Sequence, residues 1–249
     1  MRKSWEATKT KTKKVEKKNI IVFIIVLRNI YTLSTCGQKK DKIEIIVVKR
    51  EKKKKYTKFS KVILASSSEV RKKMLNKYFS DVISVPHNVE EEKYKKQKTN
   101  PGEIAVTIAR KKALSVLENY PNEIIIASDQ ILIFENKVIS KPKSLQEATK
   151  KLLFLRNKVH KLYSSIYVIQ KGKFYFQQVK AASLSFANIP QNDIKLYVKN
   201  NKKTVLTTVG SYKIEENSKY KFLNIIDGDR ETILGFPIKD LINKIKNET

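Results

Sequence analysis

The feature that most constrains this chain is an apolar run that ends on a carboxylate: Ile124-Ile125-Ile126-Ala127 leads straight into Ser128-Asp129-Gln130. A short run rich in β-branched residues reads as a strand buried on both faces. That places Asp129 at the end of an interior strand, where an ionised side chain is costly unless it meets a cation, a metal or a proton to be moved. A plainer reading, an Asp closing a turn, stands beside it. In open α/β sheets, ligands gather beyond the carboxyl ends of strands, so other polar sets in the same position gain weight.

Two such sets are present. The strand pattern Lys61-Val62-Ile63-Leu64-Ala65 runs into Ser66-Ser67-Ser68-Glu69-Val70-Arg71. Small hydroxyls and free N–H groups at a strand-to-helix junction suit an oxyanion such as phosphate, and Arg71 can add a forked, charge-assisted contact. An N-cap serine with a surface arginine is the alternative. Lys141-Pro142 is the other set, an extended approach with a cation that could reach a phosphate. Glu90 and Glu91 follow Pro86; near Asp129, a carboxylate pair would hold Mg²⁺ or Mn²⁺, and otherwise they are part of an acidic loop.

Strands and helices alternate from Lys61 onward. Val82-Ile83-Ser84-Val85 reads as a strand, His87 to Asn100 as a polar loop, and Ile131 to Phe134 as strand continuing after Ser128-Asp129-Gln130, closed by a polar turn at Glu135-Asn136-Lys137. Pro101-Gly102-Glu103 opens a helix to about Asn119, with Ile104, Ile108, Ala109 and Ala113 facing inward. Lys112 lies beside those small positions and either reaches a pocket or stays solvated. Ser144 and Glu147 form a capping box for a helix to Leu155. His160 to Gln170 and Lys173 to Ala187 alternate about a Lys171-Gly172 turn, which predicts a hairpin. Gln191 to Asn200 reads as a helix, Val209 to Ile214 and Phe222 to Ile226 as strands, and Lys239 to Lys246 as a final helix. The predicted fold class is α/β with a mixed sheet.

The formal net charge is +29, which suggests an anionic partner. About half of it lies on residues 1–58, with 19 Lys and Arg against 5 Asp and Glu. The basic residues are mostly Lys, whereas duplex readers favour Arg for base edges; nucleic acid is therefore not the expected partner. Residues 1–58 are expected to be a basic extension outside the catalytic fold, either disordered or a wrongly assigned start, with residues 59–249 as the catalytic domain. The apolar run Ile20–Leu27 is too short to span a bilayer. Behind a basic segment it resembles a secretory leader, but Arg28 interrupts it and the remainder reads as a cytoplasmic enzyme. Ile43 to Val48 could form a strand. The single Cys36 excludes a disulfide framework within the chain. His87 and His160, the two histidines, are too scattered to make a zinc site with it. No nucleophile elbow, Walker A loop or dinucleotide fingerprint is present.

Taken together, these residues resemble the Maf family. The matching stretches are Leu64-Ala65-Ser66-Ser67-Ser68-Glu69-Val70-Arg71, Val89-Glu90-Glu91, Ala109-Arg110-Lys111-Lys112-Ala113 and Ser128-Asp129-Gln130. Lys141-Pro142, His160, Val209-Gly210-Ser211-Tyr212 and Leu234-Gly235-Phe236-Pro237 come after them in order. The resemblance implies a two-lobed α/β fold around a cleft, related to the inosine-triphosphate pyrophosphatases. It implies hydrolysis of a nucleoside triphosphate to the monophosphate and pyrophosphate with a divalent metal. Ser66, Ser68 and Arg71 would cradle phosphates, Glu90 and Asp129 would hold the metal, Asp129 would accept a proton from water, and Lys112 and Lys141 would neutralise charge. Gln130 and Glu215 resemble the branch acting on 7-methyl-GTP, where Glu215 would complement a cationic base and position 70, here Val70, would lie against it. Val70 is not the aromatic residue expected there, Glu90 stands for the usual Asp, and dTTP or UTP is the alternative substrate. No membrane partner is expected, and a homodimer is left open. A reading of another class, a nucleic-acid-binding protein using the Lys-rich N-terminus, predicts salt-steep binding.

Overall fold

The computed structural model describes residues 61–248 except Lys98, together with the backbone of residues 11–17, 20–30 and 41–51. The chain divides into two units, Met1–Lys54 and Lys55–Thr249.

In the first unit, β1 (Lys11–Lys17), β2 (Ile20–Ile30) and β3 (Asp41–Glu51) form an antiparallel sheet in the order β1-β2-β3. The apolar run that resembles a leader is the central strand here, as its β-branched residues favour, and the strand expected at Ile43 to Val48 lies within β3. Residues 1–10, 18–19, 31–40 and 52–60, Cys36 among them, lie outside the described residues.

The second unit is built on the sheet β10-β9-β8-β6-β4-β5, with β7 added to the edge of β6. Its strands are β4 (Val62–Leu64), β5 (Val82–Ser84), β6 (Ile124–Phe134), β7 (Lys137–Ile139), β8 (Val159–Gln170), β9 (Lys173–Phe186) and β10 (Leu223–Asp227). Strands β5, β4 and the start of β6 run parallel, and the other pairings are antiparallel, so the sheet is mixed. The β8–β9 hairpin turns at Lys171 and Gly172, both at positive φ, as a two-residue turn requires.

The packing makes two lobes. On one face of the parallel half, Val62, Leu64, Ile124 and Ile126 pack with Leu75 of α1 (Glu69–Leu75), with Phe79 just beyond it, and with Leu241 and Ile245 of α9 (Lys239–Asn247). On the other face, Ile63, Ile125 and Ala127 meet Ala109, Ala113 and Val116 of α3 (Pro101–Leu117). A separate core joins Leu132, Phe134, Leu162, Leu184 and Phe186 to α4 (Leu145–Leu155), α5 (Gln191–Asn200) and α6 (Lys202–Thr207). Burying each such aliphatic side chain contributes roughly 1.5–3 kcal/mol. The long strands β6, β8 and β9 serve both lobes.

Between the lobes the sheet is incomplete. Strand β4 pairs with β6 only as far as Ile126, and β7 pairs only from Leu132 onward. Residues 127–131 of β6 therefore have no strand partner on that edge among the described residues. The chain leaving β4 at Ser66 and the chain leaving β7 at Ser140 both run toward this gap.

Several expectations are corrected. Asp129 is not at a strand end but in the middle of β6, because Ile131–Phe134 continues the same strand. The loop from His87 to Asn100 contains a short helix, α2 (Glu91–Lys95). Val209–Ile214 is not a strand; it is a turn leading to a 3₁₀ turn at Ile214–Glu216, with Ser211 at φ 59°. That left-handed residue breaks the extended backbone the apolar pattern suggests. Two short helices complete the unit, α7 (Asn217–Tyr220) and α8 (Arg230–Ile233). No helix among the described residues is long and apolar enough to cross a membrane.

Candidate active site

The site starts from the alternation of β6. Asp129 faces α3, while Ser128 and Gln130 face the opposite side, toward α8 and Gly235. The cross-strand neighbours agree: Ser165, opposite Asp129, donates to Ala105 O on α3 at 2.8 Å, and Ser164, opposite Gln130, donates to Thr232 O at 2.7 Å.

Helix α3 begins because Asn100 accepts from Gly102 N at 2.8 Å and Pro101 occupies the first turn. Its buried stripe is Ile104, Ala105, Ile108, Ala109, Lys112, Ala113 and Val116, a helical repeat. Lys112 belongs to that stripe and is therefore carried inward, to 3% exposure. Its ammonium lies 2.6 Å from Asp129 Oδ1 and 2.6 Å from Glu91 Oε1. Asp129 is 4% exposed, and its second oxygen, Oδ2, is buried without a hydrogen-bond partner among the described residues.

The carboxylate beside Asp129 is Glu91, not Glu90. Glu90 is the exposed residue before α2, whereas Glu91 is the first residue of that helix and turns toward α3. Its Oε2 takes Lys95 Nζ at 3.1 Å, one helical turn on. Lys95, 8% exposed, also binds Glu92 at 2.9 Å, and Glu92 accepts from Ser140 Oγ at 2.8 Å, next to Lys141. Burial works to raise the Glu91 carboxyl, but Lys112, Lys95 and Lys141 together hold it well below the carboxylate range. Asp129 goes the other way: burial, with Glu91 nearby, raises it despite Lys112 and Arg71. Burial lowers the Lys141 ammonium, whose field partners are Glu91, Lys112, Arg71 and Asp129. Arg71 is also lowered by burial, with Asp129 and Glu91 opposing the shift. Arg71, Glu91, Lys112, Asp129 and Lys141 thus share one electrostatic neighbourhood, although they are spread over 71 positions of the chain.

The other predicted residues divide. Ser66 is buried; its hydroxyl accepts from Ser68 N at 3.2 Å and from Arg71 Nη1 at 3.5 Å. Ser68 is the N-cap of α1, accepting from Arg71 N at 3.4 Å, so the capping reading holds for it. Arg71 donates from Nε to Gly235 O at 3.1 Å and from Nη1 to Ser128 O at 2.8 Å, across the sheet gap. Val70 is partly buried against the core of the parallel half. Gln130 does not share the Asp129 face: its Nε2 donates to Ser164 Oγ at 3.0 Å, Thr232 O at 3.1 Å and Ile233 O at 3.0 Å. Glu215 is exposed on the 3₁₀ turn of the second lobe. His160 is buried and paired with the Tyr212 hydroxyl, and burial pushes its imidazole down to about 4.

Two groups at the site were not among the predicted ones. Lys95 carries a findable signal, since Glu91 and Lys95 are an i, i+4 pair. His87 carries none beyond its place after Pro86; its Nε2 lies 3.6 Å from Glu91 Oε1. No cluster of three or more acidic, His or Cys side chains suited to a metal occurs among the described residues.

Known proteins are similar to this chain in sequence. The model of the Maf-like protein family matches residues 61–248, which contain every residue of the site. The nucleoside triphosphate pyrophosphatase of Legionella pneumophila (strain Paris) is 31% identical over 188 residues, covering 75% of this chain and 92% of that protein. The dTTP/UTP pyrophosphatase of Pyrococcus abyssi is 34% identical over 185 residues, covering 74% and 95%, and the 7-methyl-GTP pyrophosphatase of Bartonella henselae is 31% identical over 188 residues, covering 75% and 94%. Among solved structures, the Staphylococcus aureus Ham1 protein aligns over 76% of this chain and 100% of its own, with a TM-score of 0.44 and 16% identity. With the family model spanning both lobes and the gap between them, the chain belongs to the Maf-like protein family.

Proposed function

We propose that this protein hydrolyses a nucleoside triphosphate between its α- and β-phosphates, giving the monophosphate and pyrophosphate. The observation that carries the reading is the convergence of Asp129, Glu91, Lys112, Arg71 and Lys141 on one gap in the sheet, with Asp129 Oδ2 buried and unpartnered among the described residues. An unpaired buried acceptor costs stability, and a proton or cation arriving with the substrate removes that cost.

The cationic side chains bind and orient the phosphate chain, as phosphoryl chemistry requires. Lys112 sits between two acids and can turn from Glu91 toward a phosphate oxygen. Asp129, raised by burial, is suited to take the proton of an attacking water at Oδ2. Asp129 and Glu91 are hard oxygen donors of the kind Mg²⁺ or Mn²⁺ takes, with the remaining ligands drawn from phosphates and water. Bound there, the cation would supply charge neutralisation on the phosphates. The carboxylate assigned to it is Glu91 in place of Glu90, because Glu90 points to solvent.

For the base, 7-methyl-GTP is the first choice. The exposed carboxylate of Glu215 can accept from guanine N1–H and N2–H₂ and suits a cationic ring; dTTP and UTP are the alternative. The test is pyrophosphate release by the purified protein with Mg²⁺ or Mn²⁺, over a panel of GTP, 7-methyl-GTP, dTTP and UTP. Release from none of them refutes the activity, and a preference for pyrimidines refutes the choice of base.

A further inference from the structure

His87 lies beside this site, and the role inferred for it rests on the pyrophosphatase reading of the gap. Its Nδ1 accepts a hydrogen bond from the backbone N–H of Val89 at 3.3 Å. A ring nitrogen that accepts carries no proton, so the proton of the imidazole is on Nε2. Nε2 points at Glu91 Oε1, 3.6 Å away, from a side chain that is 19% exposed. The same oxygen is held by Lys112 at 2.6 Å, and the other by Lys95 at 3.1 Å.

Glu91 is therefore approached from three sides. Lys95 keeps the far oxygen. Lys112 is shared with Asp129 and, in the proposed reaction, turns toward phosphate charge. Once it turns, the near oxygen depends on the remaining donor. A contact of 3.6 Å is just longer than a hydrogen bond, and a small rotation of the carboxylate closes it.

We propose that His87 is a positioning residue for Glu91: its Nε2–H, aimed by the turn at Val89, fixes the orientation of the carboxylate that faces Asp129. The role needs a donor at one ring nitrogen and an acceptor at the other, and amide side chains separate the two. Gln places an N–H near the position of Nε2, whereas Asn replaces Nδ1 alone.

The experiment compares His87→Gln, His87→Asn and His87→Ala for kcat, for binding of Mn²⁺ measured by electron paramagnetic resonance, and for melting temperature. His87→Asn and His87→Ala are expected to lose about 10- to 100-fold in Mn²⁺ affinity or kcat, as loss of a ligand-orienting group does, with His87→Gln recovering most of it and all melting temperatures alike. Any pattern in which Gln fares no better than Asn overturns the proposal, and so does a common fall in melting temperature. Long-range ¹⁵N–¹H spectra give a second reading on a protein with two imidazoles: a proton on Nδ1 of His87 refutes the assignment whatever the kinetics. If the wild type releases no pyrophosphate, the activity fails separately, while the tautomer and Mn²⁺ measurements still decide the role of His87.

Discussion

On one face of β6, Asp129 meets Lys112, which also holds Glu91; on the other, Ser128 and Gln130 meet the carbonyls of Gly235, Thr232 and Ile233. The first face is dense in charge and leaves Asp129 Oδ2 unpartnered among the described residues. The second directs its polar side-chain donors to backbone oxygen and, from Gln130, to Ser164 Oγ. Three adjacent residues of one motif thus divide into one that can act on a ligand and two that hold the sheet to the turn at Gly235. A short motif reads as a unit in the sequence, but a strand deals its members alternately to opposite sides.

The division can be broken most severely at Asp129. Asp129→Asn is expected to lower kcat about 10²- to 10⁴-fold, the usual contribution of a positioned base. Its stability should not fall with its activity. Burial raises the folded pKa of Asp129 above the unfolded value, so ionisation opposes folding as pH rises through that window, and at neutral pH a neutral amide relieves the strain. Lys112 keeps Glu91 as its partner. A melting curve for the variant at pH 7 that lies clearly below the wild type would contradict this. By the same sign, the acid limb of the pH–kcat/KM profile should lie above the ordinary carboxylate value and disappear with the substitution.

Next in size is the neighbouring pair of acids. Glu91→Gln should cost about 10- to 100-fold in activity or metal affinity, and Glu90→Gln should stay within about twofold, as exposed changes do. Glu91 is held below its ordinary value in the fold, so its charge contributes stability that is lost as pH falls below the unfolded carboxylate range. Glu91→Gln should therefore be less stable than wild type at pH 7, opposite to Asp129→Asn. Equal kinetic effects at positions 90 and 91 would refute the assignment.

On the other face the effects should be structural and smaller. Gly235 has φ 78°, and a Cβ there would lie 3.3 Å from Arg71 Nη2 and 3.3 Å from Gln130 Cδ. Gly235→Ala should destabilise by about 1–3 kcal/mol and displace Arg71, which chemical denaturation and nucleotide KM would both report. Gln130→Met should cost about 1 kcal/mol for the donor lost at Ile233 O, with kcat nearly unchanged; Thr232 O keeps Ser164. A large kcat effect from Gln130→Met would show that the second face also takes part in the chemistry.

Much of the first face was legible in the sequence. The apolar run marks the start of β6, and the stripe Ile104, Ile108, Ala109 and Ala113 marks the buried face of α3, while Lys112 beside it reads in the sequence as either buried or solvated. What stayed hidden depends on a few degrees of local backbone. Glu90 and Glu91 are indistinguishable as letters, and they separate only because a short helix begins between them, inside a stretch whose composition reads as loop. The pairing of Asp129 within β6 is hidden for a related reason: three polar residues between Ala127 and the expected strand Ile131–Phe134 look like a break until cross-strand partners such as Ser164 and Ser165 are known. Gly235 stands out in the sequence only as part of a short motif, and its role as a shared acceptor for Arg71 and Ser128 is a long-range fact.

The missing stretch of ladder between β4 and β7 also sets a length. Residues 127–131 of β6 are flanked without a strand partner on that edge among the described residues, and at about 3.3 Å per residue the opening is roughly 16 Å long. Its length depends on the strands at its ends: extending β7 by one pair at its Ser140 end would shorten the slot by one step, whereas shortening β7 would widen it. If the phosphate chain binds there as proposed, the length accepted should track the number of residues in two small strands, more than any single side chain along its walls.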